Sequence, residues 1–253
     1  MKSNKKIRFL LRLGNQLDKL TFRLIRSNQD DMRGYYEGKD AVILGNGPSL
    51  NNYDLSSLND KFVIGLNKIH LIQDSNPVSI DCTIAVNDLV LKQSYKEIEN
   101  SSELIFMKWK WWMLIKPKSK KINYLPPTSM VRWGYNPLRE LSYGYTVTFV
   151  AMQLAYYMGF NRVYLLGVDH NFSQSGQSNS VVKMEHDDPN HFHPDYFKGQ
   201  NWQLADLENS EISYAIADFI YKKNEKKIIN IGIESRLNIF ERNDKIKWLQ
   251  KKF

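Results

Sequence analysis

The chain has 253 residues and a formal net charge of +8, from 35 Lys and Arg against 27 Asp and Glu, and it contains one cysteine, Cys82. A single cysteine excludes an internal disulfide framework and a cysteine-rich zinc site, and it suits a reducing cytoplasm. The positive charge favours anionic partners: nucleotides, nucleic acid or acidic lipid. Because no run of about 18 apolar residues and no cleavable signal pattern occur, we expect a chain that neither spans a membrane nor is secreted by that route.

Residues 1–37 form a basic segment ahead of the first strand. Within residues 1–26, eight basic residues accompany one acid, Asp18, and apolar residues recur between them at helical spacing. The pattern predicts an amphipathic helix on the anionic inner face of the cytoplasmic membrane, which would make the protein cytoplasmic and peripheral. A helix packed on the domain's own surface and a basic tail without contacts are the alternatives. The basic residues 244–253, with two aromatic side chains, would add to the membrane surface.

A glycine-containing turn directly follows the first apolar run, residues 41–44. The run predicts a buried parallel strand, and Gly45 and Gly47 would let the backbone turn tightly and bring its N–H groups close to a phosphate. Pro48 would then open a helix, since its missing N–H costs nothing there. Leu50 stands where the dinucleotide motif G-x-G-x-x-G has its third glycine, and no Gly-Lys-Ser/Thr of a P-loop follows. An ordinary β–α turn is the alternative to a phosphate site.

The rest of the chain alternates between apolar strand candidates and helices. Strands are predicted at residues 62–67, 81–86, 102–107, 162–166 and 227–231, and helices at residues 145–158, with Gly159 as the C-cap, and 212–223. This alternation predicts an α/β fold, a doubly wound Rossmann-like parallel sheet with helices on both faces. We assign residues 38–253 to this domain.

Polar residues directly follow several of the predicted strands. In a doubly wound sheet the ligand lies outside the carboxyl ends of the strands, so residues at those ends come together in space. Asparagine there offers both a donor and an acceptor to a base or ribose. Each such residue taken alone is typical of a turn or a helix cap. The expected cluster comprises residues 45–49 with Asn67, Asn87, Asp88, Gly167 and Asp169.

A long polar stretch, residues 173–202, contains three of the five histidines. A loop of this length in a compact domain is commonly a lid over a substrate, and we place a lid subdomain at about residues 171–205. A histidine can accept a proton from an attacking hydroxyl near neutral pH, so His191 or His193 is the candidate general base. Metal binding is an alternative, although the spacing matches no standard zinc pattern, and a solvated loop is another.

The motifs GNGPSL and YGYTVTFVAMQLAYYMGFNRVYLLGVDHNF, with strands that end at Asn67 and Asn87, resemble two related groups of proteins. One is the bacterial lipooligosaccharide sialyltransferases, which use CMP-activated sialic acid. The other is the MptE-like group, named for a 6-hydroxymethyl-dihydropterin diphosphokinase. The resemblance covers residues 38–235 and implies a Rossmann-like nucleotide-sugar-binding domain.

The resemblance also implies roles for single residues. In the first turn, the residues that would contact the nucleotide phosphate and ribose are Gly45, Asn46, Gly47 and Ser49. Asn67 and Asn87 would hold the nucleotide or donor sugar, and Gly167 with Asp169 the base or ribose. A histidine base in a mobile lid corresponds to His191 or His193.

Three positions depart from the sialyltransferase pattern. Asn171 stands where that group has a tyrosine two residues after the aspartate, and Tyr196 is the candidate for its replacement in the lid. The serine of a Thr-Ser-Gly turn falls near Val147, within the run from Thr146 to Thr148. Thr146 remains a candidate for donor binding.

We therefore expect a glycosyltransferase that uses a CMP-activated acidic sugar, sialic acid or a similar ulosonic acid, in bacterial surface-polysaccharide or lipooligosaccharide synthesis. A lid histidine would deprotonate the acceptor hydroxyl for direct displacement, and the lid tyrosine or a histidine, with nearby basic residues, would stabilise the leaving phosphate. The resemblance implies neither a metal nor another cofactor. The expected partners are the CMP-sugar donor, a glycan or glycolipid acceptor and the inner-membrane surface, without nucleic acid and with a homo-oligomer left open.

Two alternatives remain at this stage. An MptE-like ATP-dependent diphosphokinase would need Mg²⁺ on carboxylates, and the candidates are Asp88, Asp169, Asp187 and Asp188. A binding module for nucleotides or nucleic acid would use an aromatic and basic patch, formed by Lys108, Trp109, Lys110, Trp111, Trp112 and Lys116. Packing of these tryptophans, or their contact with an acceptor or a membrane, is the more ordinary role.

Overall fold

The computed structural model describes Phe22 and residues 31–111, 121–126, 131–173 and 176–252. The α-helices are α1 (Asp88–Glu99), α2 (Val147–Tyr157) and α3 (Leu207–Lys223), with short 3-10 helices at Pro48–Asn52, Leu55–Leu58 and Ile69–Asp74. The strands are β1 (Asp40–Leu44), β2 (Tyr53–Asp54), β3 (Phe62–Leu66), β4 (Cys82–Ala85), β5 (Leu104–Lys108), β6 (Ile122–Leu125), β7 (Arg162–Leu166), β8 (Val181–Lys183), β9 (Asn201–Gln203), β10 (Lys227–Asn230), β11 (Glu241–Arg242) and β12 (Gln250–Lys251).

The described residues form one large sheet with the strand order β11-β10-β7-β1-β3-β4-β5-β6. Its neighbouring strands all pair in parallel. From β1 the chain proceeds outward through β3 to β6, and it then returns to place β7 on the other side of β1. The strand order therefore reverses between β1 and β7, and the crevice at their carboxyl ends is where ligands bind in sheets of this kind.

The central strands are buried on both faces, which accounts for their unbroken apolar sequences. Side chains along β1 alternate between the faces, so Ala41 and Ile43 join one core while Val42 and Leu44 join the other. The first core lies under α2 and α3. The second lies under the 3-10 helices, α1 and the chain that connects β7 to α3.

The predicted Rossmann-like parallel sheet is confirmed, and each predicted strand lies close to its expected bounds. Gly159 follows α2 with a φ of 97°, the left-handed conformation that ends helices. Helix α3 begins earlier than expected because Asp206 caps it, its carboxylate accepting a hydrogen bond from the Asn209 N–H. Pro48 opens only a 3-10 turn instead of the expected helix.

The stretch between β7 and α3, residues 171–205, contains a small antiparallel sheet of β8 and β9. We call residues 171–205 the crossover segment. It packs on the second core through Phe192, Tyr196 and Phe197. The Phe192 N–H donates to the Asn46 carbonyl at 2.9 Å, and the Asn51 amide donates to the Phe192 carbonyl at 2.8 Å. The middle of the segment is thereby joined to the turn after β1.

The predicted amphipathic helix in residues 1–37 lies largely outside the described residues. Of this segment the structure describes Phe22, which is buried in a core, and residues 31–37, which form turns. Near the other end, Trp248 packs edge-on against Tyr164 with ring centroids 5.3 Å apart, so it contributes to the fold. Within the part of the chain that is described, no helix has the length and apolar character needed to cross a bilayer.

Candidate functional site

The turns after β1 and β7 pack directly on each other at the point where the strand order reverses. The Gly45 N–H donates to the Leu166 carbonyl and the Gly47 N–H to the Gly167 carbonyl, both at 2.8 Å. A Cβ at Gly45 would lie 2.2 Å from the Gly167 oxygen, and one at Gly47 would lie 2.3 Å from the Asp169 carboxylate. Glycine is therefore required at both positions by the close approach of the second turn.

Asp169 and Ser49 join the same two turns through side chains. The Ser49 N–H donates to Asp169 Oδ2 at 2.9 Å, and the Ser49 hydroxyl donates to Oδ1. Burial raises the pKa of Asp169 above its ordinary value, and the two hydrogen bonds from Ser49 oppose that rise. The backbone N–H groups of Gly45, Gly47 and Ser49 are thus bound within the protein, which weighs against them as donors to a phosphate. Contact of these residues with a nucleotide stays a prediction.

A cavity of about 460 Å³ opens beside these turns. This volume is in the range of small-molecule sites. The predicted site residues that line it are Gly45, Asn46, Gly47, Asn67, Asn87, Asp88, Thr146, Gly167, His191 and Tyr196. Ser49, Asp169 and His193 are the predicted residues that the structure places outside its lining.

Two asparagines of the cavity lining have buried side-chain oxygens that no described residue satisfies. Oδ1 of Asn46 and Oδ1 of Asn67 are buried without a hydrogen-bond partner among the described residues. Asn67 also has a φ of 51°, in the left-handed region. Buried acceptors of this kind are costly unless a ligand or water donates to them. Asn87 differs, because its Oδ1 caps α1 by accepting from the N–H groups of Leu89 and Val90.

Three helices begin at the cavity wall, α1 at Asn87, α2 at Thr146 and α3 at Asp206. Helix N-termini carry partial positive charge and favour anions. Lys108 also lines the cavity, and its ammonium is 2.6 Å from Asp88 Oδ2. The helix N-termini and Lys108 favour an anion, and the carboxylates of Asp88 and Asp206 in the same wall oppose one.

His191 stands in the cavity wall as part of a buried pair. Its Nδ1 is 2.8 Å from Oδ2 of Asp188, whose side chain is fully buried. Because a carboxylate only accepts, the tautomer of the neutral ring that this contact favours has its proton on Nδ1 and its lone pair on Nε2. The imidazole also stacks on the Tyr196 ring, with centroids 4.0 Å apart and planes 6° apart. The ring is thus held in one tautomer and one orientation, which is what a general base requires.

Lys68 holds Tyr196, the residue on which the His191 ring stacks. Its ammonium is buried and donates to the Tyr196 carbonyl at 2.7 Å and to Gln200 Oε1 at 2.8 Å. Burial lowers the pKa of Lys68 to about 8, against the opposing attraction of Asp188. The Lys68 N–H donates to the Tyr196 hydroxyl at 3.2 Å. Tyr196 is therefore a fixed platform for His191, and burial raises the pKa of its hydroxyl far above the ordinary value.

His193 lies elsewhere. Its Nδ1 accepts from the Asp195 N–H at 3.2 Å, and its Nε2 is 3.9 Å from Asp74 on the 3-10 helix Ile69–Asp74. This imidazole does not line the cavity. Of the two histidines that the sequence left open, the structure brings only His191 to the site.

The carboxylates proposed for Mg²⁺ are occupied by other partners. Asp88 pairs with Lys108 and accepts from Trp111 Nε1, Asp169 accepts from Ser49, and Asp188 pairs with His191. The remaining candidate is exposed, because the Asp187 carboxylate pairs with Lys198 on the surface. Over the described ranges, no cluster of three metal-ligating acidic, histidine or cysteine residues forms. These residues do not fit a magnesium site.

The proposed aromatic patch is wrong for the two tryptophans that the structure describes. Trp109 and Trp111 are buried in the second core, and Trp111 donates to Asp88. Trp112 and Lys116 lie outside the described residues.

Sequence reasoning missed His170, which lines the cavity, and Lys68, which holds Tyr196. Lys108 had been named only as part of the aromatic and basic patch. Lys68 and His170 each directly follow a polar residue at a strand end that had been selected, Asn67 and Asp169. Their positions beside the ends of predicted strands could therefore have identified both residues. Asp188 had been considered only as a metal ligand, although its place three residues before His191 suits a hydrogen-bonded pair.

Comparison with known sequences identifies the family. The MptE-like family, described as 6-hydroxymethylpterin diphosphokinase MptE-like, matches residues 15–175. This chain belongs to the MptE-like family. The resemblance inferred from the motifs is thereby confirmed. Among curated proteins, no relative matches the chain.

Solved structures similar to this MptE-like chain include two transferases. One is the MAf glycosyltransferase from Magnetospirillum magneticum AMB-1, with a TM-score of 0.60 and 12% identity over 91% of this chain. The chain spans only 38% of that protein, and at this identity the likeness shows the fold alone. The other is the sialyltransferase CstII from Campylobacter jejuni, solved with a substrate analogue, cytidine-5'-monophosphate, with a TM-score of 0.47 and 16% identity over 86% of this chain and 91% of that one.

Proposed function

We propose that this protein is a glycosyltransferase that uses a CMP-activated acidic sugar, sialic acid or a similar ulosonic acid. The acceptor would be a hydroxyl of a glycan or glycolipid in bacterial surface-polysaccharide or lipooligosaccharide synthesis. The observation that carries the proposal is the buried Asp188–His191 pair in the wall of a cavity at the switch point of the sheet. The choice of CMP rests on the resemblance of the GNGPSL and GVD motifs to the sialyltransferases.

The cavity suits such a donor in three respects. Its volume of about 460 Å³ accommodates a small ligand. Its wall combines three helix N-termini with Lys108, which favours an anion. The free oxygens of Asn46 and Asn67 would accept hydrogen bonds from base or sugar donors.

His191 would act as the base in a single displacement. The acceptor hydroxyl gives its proton to Nε2 as its oxygen forms a bond to the anomeric carbon of the donor. The bond from that carbon to the phosphate oxygen breaks, and CMP leaves with the electron pair. Asp188 stabilises the imidazolium that forms, because its carboxylate already accepts from Nδ1–H. The helix N-termini and Lys108 would stabilise the charge on the leaving phosphate.

The family description favours a second candidate, an ATP-dependent diphosphokinase of the MptE type. That reaction needs a divalent cation on the nucleotide. Asp88, Asp169 and Asp188 are each engaged by another side chain, which weighs against this candidate. Activity that depends on ATP and is lost in EDTA would favour it over the transferase.

The test combines binding and turnover. Calorimetry measures the affinity for CMP, with and without EDTA, and a CMP-release assay measures turnover of CMP-activated acidic sugars. We expect His191→Ala to lower turnover at least about 100-fold with little change in CMP affinity. His193→Ala is the matched control, since that ring lies outside the cavity, and it should retain both.

His191→Phe keeps a ring against Tyr196 and thus separates loss of the base from loss of packing. Full turnover in either His191 variant would refute its role as the base. Binding of ATP with Mg²⁺, and of no cytidine nucleotide, would refute the proposed donor. Contact of residues 1–37 with a membrane remains a separate prediction.

A further inference from the structure

Helix α3 carries apolar side chains on the face that it presents to solvent. Its other face packs on the first core through Tyr214 and Tyr221. On the solvent face, Ile212 is 54% exposed and Phe219 is 63% exposed. Residues three, four and seven positions apart share one side of a helix, so these two side chains form a stripe with the exposed Ala215 between them. Large apolar side chains grouped on an exposed surface mark a contact site for another protein.

Charged residues of opposite sign flank this stripe. Glu208 lies one turn before Ile212 on the same face, and Lys223 lies one turn after Phe219. Both charged side chains belong to exposed residues, and among the described residues neither forms an ion pair. The solvent face of α3 is therefore acidic at its N-terminal end, apolar in the middle and basic at its C-terminal end.

This order of side chains is complementary to itself when two copies of the helix pack antiparallel. The point halfway between Ile212 and Phe219 is also halfway between Glu208 and Lys223. A two-fold axis at that point would place each Ile212 against Phe219 of the second copy, and each Glu208 against Lys223. The small side chain of Ala215 lies beside the axis, where it lets the two helices approach closely. In a two-fold dimer one patch contacts its own copy, and this face has the required symmetry.

We propose that the solvent face of α3 is a homodimer interface, in which two copies of this chain pack their α3 helices antiparallel. The stripe supplies the apolar contact. The terminal charges set the orientation, because a parallel pair would bring like charges together. One helix from each copy makes a small interface, and small interfaces are weak, so we expect dissociation in the micromolar range. The proposal goes beyond the proposed function and does not depend on it.

Sedimentation velocity of the intact protein over a dilution series measures this association. Wild type should pass from dimer to monomer as it is diluted through the micromolar range. Phe219→Glu places a charge in the middle of the stripe and should weaken association at least about 100-fold. Tyr35→Glu is the matched control, since Tyr35 is an exposed aromatic residue outside α3, and it should associate as wild type does. Circular dichroism should show both variants folded, because both side chains are exposed.

Reversal of the charges tests the antiparallel pairing separately from the stripe. Glu208→Lys and Lys223→Glu should each weaken association about 10-fold, because like charges then face each other in the dimer. An equimolar mixture of the two variants should regain the association, because a mixed pair restores opposite charges at both ends. A wild-type protein that stays monomeric up to about 200 μM would overturn the proposal. A dimer that Phe219→Glu leaves intact, or a mixture that associates no better than either variant alone, would also overturn it.

Discussion

The buried ammonium of Lys68 makes the stability of the protein depend on alkaline pH in a way that can be calculated. In the unfolded chain Lys68 has its ordinary pKa of 10.5, and burial lowers this to about 8 in the folded protein. Below about pH 8 the folded state must bury a charged group, which costs about 3 kcal/mol from the difference between the two pKa values. Above that pH the folded state releases the proton while the unfolded chain retains it.

The contribution of Lys68 to the free energy of unfolding therefore rises with pH between about 8 and 10.5. From the two pKa values, this contribution increases by about 2 kcal/mol between roughly pH 7 and pH 9.5. Lys68→Met removes the titration. It also leaves the Tyr196 carbonyl and Gln200 without their donor, which lowers the stability of the variant equally at both pH values.

Urea denaturation of wild type and Lys68→Met at the two pH values measures this difference. Between the two pH values, the free energy of unfolding of wild type should rise by about 2 kcal/mol relative to that of Lys68→Met, because all other titrating groups are common to both. Lys183→Met, at an exposed lysine of β8, is the control and should follow wild type. Parallel changes in wild type and Lys68→Met would refute the reasoning.

Two further predictions concern the base and the turns. Asp188→Asn removes the carboxylate that fixes the tautomer of His191, so we expect a CMP-release rate about 10²- to 10⁴-fold lower with CMP affinity preserved by calorimetry; an unchanged rate would contradict the assigned role. Gly47→Ala places a methyl group against Asp169 and must displace its hydrogen bonds from Ser49, so we expect a loss of more than about 2 kcal/mol in urea denaturation. Ser49→Ala, which adds no atoms, should lower the free energy of unfolding by about 1.5–3 kcal/mol. A Gly47→Ala variant as stable as wild type would show that the two turns can separate.

Most of the sheet could be predicted because its central strands are continuous apolar runs, and β1, β3 and β7 are followed directly by glycine or asparagine. Helix α1 was missed because its sequence, DLVLKQSYKEIE, is largely polar, and a non-helical residue at Ser94 interrupts its geometry. Only Val90, Leu91 and Ile98, with Ser94, are buried along it. Strand β6 is four residues long and lies beside charged sequence, where short runs carry little signal.

The site was predictable in position and less so in role. Residues at strand ends converge because the topology brings them together, and Asn46, Asn67 and Asn87 were found in this way. His191 was selected instead from the long polar stretch that contains three histidines. Their partners lie far away in the sequence: Ser49 binds a residue 120 positions later. Such pairs leave no local pattern, so Ser49 looked like a phosphate ligand although its donors are committed to Asp169.

The hydrogen bonds between Phe192 and the turn after β1 bear on the route by which a ligand enters and leaves the cavity. His191 is adjacent to a residue whose N–H and carbonyl are both held by that turn, at Asn46 and Asn51. An outward movement of residues 191–196 would break both of these hydrogen bonds and also the one from the Lys68 ammonium to the Tyr196 carbonyl. Among the described residues, no hydrogen bond joins β8 or β9 to the turn after β1, and Val181 on β8 lines the cavity and is 57% exposed. A ligand that entered or left past β8 and β9 would not disturb these hydrogen bonds, so His191 would stay aligned from one reaction to the next.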